Sequence, residues 1–459
     1  MDFLEDLRIV DGPVLLVAWA AGAAGFFYFL RQGGRFRTRT PAGPRWLALV
    51  LPVAVCLLCA AGLLAGAHWT LIYLFSVFPG ELPPEVLAWS LPGVTALLLW
   101  ILHLWRTWRG AGRTDGRSGL WRSVGTTAVS TAALFGVVLL SAVQINAYFG
   151  LNHTVSDLTG TAVARIPPLE DALRRASGGA PGSSLSQWVP PADLPDGGVL
   201  RRAAIPGTSS GFQSREAYIY LPPAYLSASR PALPVLVLFA GQPGAPADWL
   251  TGGALRSRLD RFAAEHHGVA PVVVVVDPNG SSAGNTLCMD SRIAQADTFL
   301  AVDVPAWINR TLEVDPDPRL WAAGGFSFGA TCAVQMVTRH PDVYSSALAF
   351  SSEREPALAK ERDKTIAAAF GGDVEAFERQ TPLRLMMDRR FDGDAIYFGA
   401  GERDPEFVGY MDVLSAAARD AGFTVATRRI AGAGHSWETG SKGLPSGLEF
   451  LASRWGITQ

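Results

Sequence analysis

The stretch LWAAGGFSFGATCAVQMVTRH, residues 320–340, decides the fold because it joins a strand pattern to a helix pattern through a serine that stands between two glycines. Its first part is short and apolar, as in a strand buried on both faces, and its last part has helical apolar spacing. Between them, Gly325-Phe326-Ser327-Phe328-Gly329 has the G-x-S-x-G spacing of a sharp turn that exposes a strained serine. The pattern predicts a nucleophile at Ser327; the alternative is a glycine-rich turn without catalysis.

Strand patterns alternate with helix patterns on both sides of this turn. The repeated order predicts an α/β domain over residues 201–459, with a mostly parallel sheet and helices on both faces. Residues 353–392 fit a helical insertion, which in such a position often covers an active site. The clearest strand candidates are AYIYLPPAY (217–225), LPVLVLFAG (233–241), APVVVVVDP (270–278), SSALAFSS (345–352), DAIYFGAG (394–401) and TVATRRIAG (424–432).

A serine nucleophile needs a base, and the base needs a carboxylate that orients it. His435 follows the last predicted strand, with Gly434 before it and Gly440 after it. This position among glycines suits a general base on a mobile loop. The preceding strand ends in GERDPEF, which offers Asp404 as the acid and Glu402 as the alternative. Nucleophile, acid and base therefore follow one another along the chain in the order that this elbow motif requires.

Acyl transfer also needs donors for the developing oxyanion. The backbone N–H of Phe328, directly after the nucleophile, is the expected first donor. The second is expected in the loop FAGQPGAPADW, from the N–H of Gln242 or of its neighbour Gly241.

Taken together, these motifs resemble the esterase D and antigen-85-like branch of the α/β-hydrolase fold, the "putative esterase" group that includes bacterial mycolyltransferases. The resemblance covers about residues 205–457 and rests on YIYLPPAY, FAGQPG with Trp249, ADTFLAVDVPAWI, GGFSFGAT, GERD and GHSW. It implies an α/β-hydrolase fold with Ser327, His435 and Asp404 as nucleophile, base and acid, and Phe328 and Gln242 as oxyanion donors. Ala240-Gly241 stands where the family usually has histidine-glycine.

The first part of the chain, residues 1–150, has the composition of a membrane domain. Four stretches without internal charge, residues 13–30, 47–67, 86–104 and 124–148, are long and apolar enough to cross ~30 Å of hydrocarbon as helices. Arginines fill the first and third loops, whereas the second loop and the N-terminal tail are acidic. Because basic loops stay in the cytoplasm, we expect a multi-pass protein of the cell membrane whose second domain is extracytoplasmic. The arginines of the first and third loops are Arg31, Arg35, Arg37, Arg39, Arg45, Arg106, Arg109, Arg113, Arg117 and Arg122.

Residues 151–200 are rich in Gly, Pro and Ser and are predicted to be a linker. Within the following domain, Cys288 and Cys332 are candidates for a disulfide that supports the nucleophile, because both would lie on the oxidising side. Asp290 is a candidate for binding a cationic group such as the ammonium of an aminoacyl ester, with loop capping as the alternative. Trp249 and Trp437 are further candidates for substrate contact.

Charge and motifs exclude several other classes of function. The net charge of −2 gives no reason to expect nucleic-acid binding, since no basic face appears in the second part of the chain, and no motif suggests a metal or a cofactor. We therefore expect a serine esterase that hydrolyses acyl or aminoacyl esters of envelope lipids through an acyl-enzyme, with the lipid bilayer and a membrane lipid or envelope glycolipid as its partners. The alternatives are a mycolyltransferase-like acyltransferase on envelope glycolipids and a catalytically inactive hydrolase fold that binds or senses a ligand.

Overall fold

The chain folds into two compact units, Met1–Thr159 and Gly160–Gln459. The boundary between them lies inside the predicted linker, near its beginning. Each unit has its own packed interior. The structure, a computed structural model, describes residues 5–33, 45–76, 80–111, 117–175 and 183–457.

Four long helices form the first unit: α1 (Gly12–Gly33), α2 (Arg45–Trp69), α3 (Pro84–Ala111) and α4 (Arg117–Phe149). Each predicted span lies inside one of them, and all four are long and apolar enough to cross a membrane.

Large apolar side chains on these helices remain exposed, among them Leu16, Leu58 and Phe135 at 67–72%. Such an apolar exterior is expected of helices surrounded by lipid. Arg35, Arg37, Arg39 and Arg113, on which the predicted orientation partly rests, lie outside the described residues.

An eight-stranded sheet forms the centre of the second unit. Its strands are β1 (Val199–Ala203), β2 (Ala217–Leu221), β3 (Val235–Phe239), β4 (Val272–Val276), β5 (Trp321–Phe326), β6 (Ser346–Phe350), β7 (Ala395–Gly401) and β8 (Thr424–Ile430). Their spatial order is β1-β2-β4-β3-β5-β6-β7-β8. Strand β2 runs antiparallel to both of its neighbours, and every other pair is parallel.

The central strands are buried on both faces, which explains their unbroken apolar sequences. All five residues of β3 and of β4 are buried. In the register of the sheet, Phe239 pairs with Gly325 on one side and with Val276 on the other. The carboxyl ends of β3, β4 and β5 therefore meet at one edge, where α/β proteins place their active sites.

Helices cover both faces of this sheet, so the predicted fold class, an α/β hydrolase preceded by four membrane-type helices, is confirmed. The α-helices of five or more residues in this unit are α5 (Leu255–Glu265), α6 (Val304–Thr311), α7 (Phe328–Arg339), α8 (Arg362–Phe370), α9 (Val374–Glu378), α10 (Pro382–Asp388), α11 (Pro405–Asp420) and α12 (Trp437–Trp455). Helix α7 packs on β5 and β6, and helix α11 packs on β7 and β8. Helix α12 packs on β6 and β7 and against α5.

Much of the segment predicted as a linker packs within the second unit. The backbone N–H of Leu169 donates to the carbonyl of Arg202 in β1 at 2.9 Å. The indole of Trp188, only 9% exposed, donates to the carbonyl of Ser229 at 2.7 Å. Strand β1 itself begins at Val199, before the predicted start of the domain. Isolated apolar residues among the prolines and glycines pack this segment onto the second unit. The average composition of the segment does not reveal them.

The insertion between β6 and β7 consists of α8, α9 and α10, as its helical pattern predicts. Ile366 and Phe377 from this insertion form an apolar cluster with Leu287 and Met289. The insertion therefore packs against the loop that follows β4.

Candidate active site

Ser327 lies in the turn between β5 and α7. Its φ of +56° and ψ of −121° fall where residues with a side chain are strained. The turn is so tight that a Cβ on Gly325 would overlap the carbonyl of Gly329, and a Cβ on Gly329 would overlap the carbonyl of Phe239. The N–H of Ser327 donates to the carbonyl of Phe350 at 2.8 Å, which ties the turn to β6.

Ser327, His435 and Asp404 form one hydrogen-bonded line. Ser327 Oγ lies 2.9 Å from His435 Nε2, and His435 Nδ1 lies 2.9 Å from Asp404 Oδ2. With the proton on Nδ1, the imidazole donates to the carboxylate and can accept the serine proton at Nε2. The residues come from the ends of β5, β7 and β8, and the side chains of His435 and Asp404 are 25% and 10% exposed.

Two aromatic rings hold the imidazole of His435. The ring of Phe407, in the first turn of α11, lies 4.0 Å from the imidazole between centroids. The ring of Phe326, directly before the serine, lies at 5.2 Å. Because both contacts restrict the orientation of the imidazole, its two nitrogens stay directed at the serine and at the carboxylate.

Glu402, the alternative acid, points away from the histidine. Its Oε2 accepts the backbone N–H of Gly432 at 3.0 Å, and the residue is exposed. This bond ties the turn after β7 to the loop that carries His435. Of the two acids, only Asp404 lies beside the imidazole.

The candidate oxyanion donors belong to two segments that lie next to the elbow. Phe328 is the first residue of α7, where backbone N–H groups lack helical acceptors. A Cβ on Gly241 would lie 3.7 Å from the carbonyl oxygen of Phe326, so the loop after β3 lies next to the elbow. Both Gly241 and Gln242 remain candidates for the second donor. Farther along the same loop, the N–H of Gly244 donates to the carbonyl of Ser282 at 3.0 Å.

The model of the family described as "Putative esterase" matches residues 210–444, a segment that contains every residue of this line. The chain belongs to this family. The second unit, called the esterase domain from here on, is accordingly a serine ester hydrolase or acyltransferase.

Three bacterial proteins are similar to this chain. An uncharacterized protein of Corynebacterium glutamicum is 37% identical over 279 residues, which are 59% of this chain, and the chain spans 65% of that relative's length. An S-formylglutathione hydrolase from Agrobacterium tumefaciens is similar over 57% of this chain and 98% of its own, with 18% identity and a TM-score of 0.48. MPT51 of Mycobacterium tuberculosis is similar over 57% of this chain and 99% of its own, with 16% identity and a TM-score of 0.43.

Trp249 and Trp437 lie beneath the active site of the esterase domain. Trp249 is fully buried, and its Nε1 donates to the carbonyl of Phe239 at 2.9 Å. The ring of Trp437, 7% exposed, stands edge-on to that of Trp249 at 5.2 Å and also contacts Phe326. Both tryptophans therefore support the elbow from below, and neither offers a surface to a substrate.

Asp290 is hydrogen-bonded within its own loop through both oxygens of its carboxylate. Its two carboxylate oxygens accept the backbone N–H and the hydroxyl of Thr298 at 3.0 Å and 2.6 Å. Of the two interpretations of this residue, loop capping agrees with these contacts.

A disulfide joins Cys288 to Cys332, with their Cα atoms 5.5 Å apart. Cys332 lies in the second turn of α7, so the bond ties the loop after β4 to the helix that follows the nucleophile. Two buried side chains of α7 strengthen the connection, because Gln335 donates to the carbonyl of Leu287 at 2.9 Å and Arg339 to that of Cys288 at 2.6 Å.

Sequence reasoning missed Glu353, which lies just past the end of β6. Its backbone N–H donates to Thr331 Oγ1 in the first turn of α7 at 3.0 Å. Desolvation of the carboxyl and, to a lesser extent, the nearby carboxylate of Glu406 together raise its pKa to about 8, against the lowering effect of the hydrogen bond from Thr331. Its place after a central strand was the only sequence signal. In the part of the chain that the structure describes, no group of three His, Cys, Asp or Glu side chains could hold a metal ion.

Proposed function

We propose that this protein is a membrane-anchored, extracytoplasmic serine esterase that cleaves acyl or aminoacyl esters of envelope lipids through an acyl-enzyme. The observation that carries the proposal is the hydrogen-bonded line from Ser327 through His435 to Asp404. A serine whose hydroxyl is hydrogen-bonded to an oriented imidazole is activated for attack on an ester carbonyl.

In the first half-reaction, Ser327 Oγ attacks the ester carbonyl while His435 Nε2 takes the hydroxyl proton. The carbonyl oxygen becomes an oxyanion, which the N–H of Phe328 and one N–H of the loop after β3 stabilise. Asp404 stabilises the imidazolium that forms at His435. The C–O bond of the ester then breaks, His435 returns its proton to the departing alkoxide, and the acyl group stays on Ser327.

In the second half-reaction, a hydroxyl compound attacks the acyl-enzyme with the same base and the same oxyanion donors. Water gives hydrolysis, and the hydroxyl of an envelope glycolipid gives acyl transfer. The two outcomes differ only in which nucleophile reaches the ester, so the residues of the site are compatible with both.

The proposed location rests on the four apolar helices and on the charge of their loops. Arginines concentrate in the first and third loops, which favours a cytoplasmic position for both loops and supports an extracytoplasmic position for the esterase domain. Because the same chain carries the anchor and the esterase domain, lipid-borne esters are present at a high effective concentration. We therefore propose a membrane lipid or an envelope glycolipid as the substrate.

Labelling of the full-length protein in detergent micelles with a fluorophosphonate tests the catalytic proposal. The wild type should react within minutes, whereas Ser327→Ala should not react. If neither protein reacts while both keep their thermal transition, the inactive binding module replaces the enzyme as the function.

Comparison of envelope lipids from cells with and without the gene tests the substrate. An ester that accumulates without the gene identifies the substrate of a hydrolase, whereas loss of an acylated lipid indicates a transferase.

A membrane-impermeant amine reagent applied to intact cells tests on which side of the membrane the esterase domain lies. The reagent should modify Lys360, Lys364 or Lys442, and labelling only after lysis contradicts an extracytoplasmic domain.

A further inference from the structure

Glu353 lies close to the nucleophile through two independent connections. The strand that precedes it ends at Phe350, whose carbonyl accepts the N–H of Ser327 at 2.8 Å. On the other side, Thr331 Oγ1 accepts the N–H of Glu353 at 3.0 Å and lies 3.3 Å from the carbonyl oxygen of Ser327. The mechanism described above makes no use of Glu353.

The carboxyl of Glu353 has no cationic partner. Its Oε2 lies 3.5 Å from Thr331 Oγ1, and no Lys, Arg or His among the described residues forms an ion pair with it. Glu406, two residues after Asp404, is a charged group close enough to act on this carboxyl, and the Oε1 of Glu406 accepts the hydroxyl of Tyr410 at 2.6 Å. A carboxyl with no cation beside it keeps its proton, and a cationic ligand that binds there releases that proton and forms an ion pair with the carboxylate.

A second polar group of the same turn also lacks a partner. Ser351, two residues before Glu353, is 1% exposed, and its hydroxyl has no hydrogen-bond partner among the described residues. Buried hydroxyls are normally hydrogen-bonded, so an exception in a native fold calls for an explanation. The turn after β6 therefore holds two polar side chains whose hydrogen-bonding capacity the fold itself does not fill.

We propose that Glu353 binds the α-ammonium group of the acyl moiety, so that the substrate of this esterase domain is an aminoacyl ester. In such an ester the ammonium is attached to the carbon next to the reacting carbonyl, so its binding group must lie close to the serine. Glu353 meets this requirement because its Oε2 lies 3.5 Å from Thr331 Oγ1, which itself lies 3.3 Å from the carbonyl oxygen of Ser327. Asp290, the sequence-based candidate for the same role, already uses both of its oxygens to cap Thr298.

This inference rests on the proposed serine esterase and adds a specificity-determining residue to it. The test uses two 4-nitrophenyl esters of the same shape, the L-alanyl ester and the 2-methylpropanoyl ester, in which a methyl group replaces the ammonium. The full-length protein in detergent micelles is assayed with both, and each kcat/KM is divided by the uncatalysed hydrolysis rate of that ester. The variants are Glu353→Gln and, as a matched control, Glu375→Gln, an exposed carboxylate that pairs with Arg379.

We expect the wild type to favour the alanyl ester and Glu353→Gln to lower its kcat/KM about tenfold to a hundredfold, since hydrogen bonds to charged groups are among the strongest. The kcat/KM for the 2-methylpropanoyl ester should stay within about threefold, because a neutral acyl group makes no ion pair. Glu375→Gln should match the wild type with both esters.

Equal losses with both esters, or no loss with either, overturn the role of Glu353. The fluorophosphonate labelling rate reports whether the Glu353→Gln variant keeps a folded site. If this variant does not fold, the selectivity of the wild type tests the inference instead. A wild type without preference for the alanyl ester overturns the inference. Wild-type hydrolysis of both esters without selectivity leaves the proposed function intact. Activity that survives in Ser327→Ala refutes the proposed function itself.

Discussion

Replacement of Asp404 by Asn tests whether this residue orients the catalytic histidine. The carboxylate accepts the Nδ1–H of His435 at 2.9 Å and makes no capping bond to α11. An amide at this position removes the charge that stabilises the imidazolium and favours the wrong tautomer of the ring. The corresponding change in serine proteases lowers kcat by about 10⁴, which at about 1.4 kcal/mol per tenfold equals roughly 5.5 kcal/mol of transition-state stabilisation.

Glu402→Gln is the matched control, because Glu402 belongs to the same turn and was the alternative acid. A glutamine can still accept the N–H of Gly432, and the side chain is exposed. The change replaces one charged acceptor by a neutral one, at a cost of about 1 kcal/mol or less. We therefore expect less than about a fivefold loss of kcat.

Both variants are assayed as full-length protein in detergent micelles, with 4-nitrophenyl butyrate for kcat and a fluorophosphonate for the reactivity of Ser327. Thermal transitions within a few degrees of the wild type show that the fold is kept, as expected because Asp404 does not cap its helix. If Glu402→Gln loses as much kcat as Asp404→Asn, or if Asp404→Asn keeps more than about a tenth of the activity, the assignment of the acid is wrong.

Three further predictions concern the support of the site. The double variant Cys288→Ser and Cys332→Ser, which opens a loop with a sequence separation of 44, should lower the free energy of unfolding by about 2–4 kcal/mol in urea denaturation; an unchanged midpoint contradicts this. Gly329→Ala should lower the unfolding free energy by about 1–3 kcal/mol and abolish fluorophosphonate labelling, because its Cβ overlaps the carbonyl of Phe239. Glu353 holds its proton in the folded state up to about pH 8, whereas the unfolded chain loses it near the ordinary value of 4.5; stability should therefore fall as the pH rises between these values, and Glu353→Gln should flatten that slope in thermal unfolding.

The amino-acid sequence alone determined the class of fold and the nucleophile. Strand and helix patterns depend on local periodicity, and the elbow at Ser327 depends on glycines within two positions of it, so both are visible in a single stretch of chain. The four apolar helices are equally local, because span length and charge are properties of consecutive residues. His435 could be selected because few histidines follow a strand in this chain.

The tertiary structure decided the questions that depend on side-chain direction. Asp404 and Glu402 belong to one turn, yet one contacts His435 and the other Gly432, a difference that residue spacing does not encode. Trp249 became a buried support because the sheet and α12 enclose it.

Burial also depends on parts of the chain that are distant in sequence. The sequence contains Glu353 as one acidic residue among 41 Asp and Glu, and only the packing of β6, α7 and α11 places its carboxyl beside Thr331 and Glu406. Local sequence determines which elements form, whereas charge, exposure and partners arise when distant segments meet, and those properties give each functional side chain its chemistry.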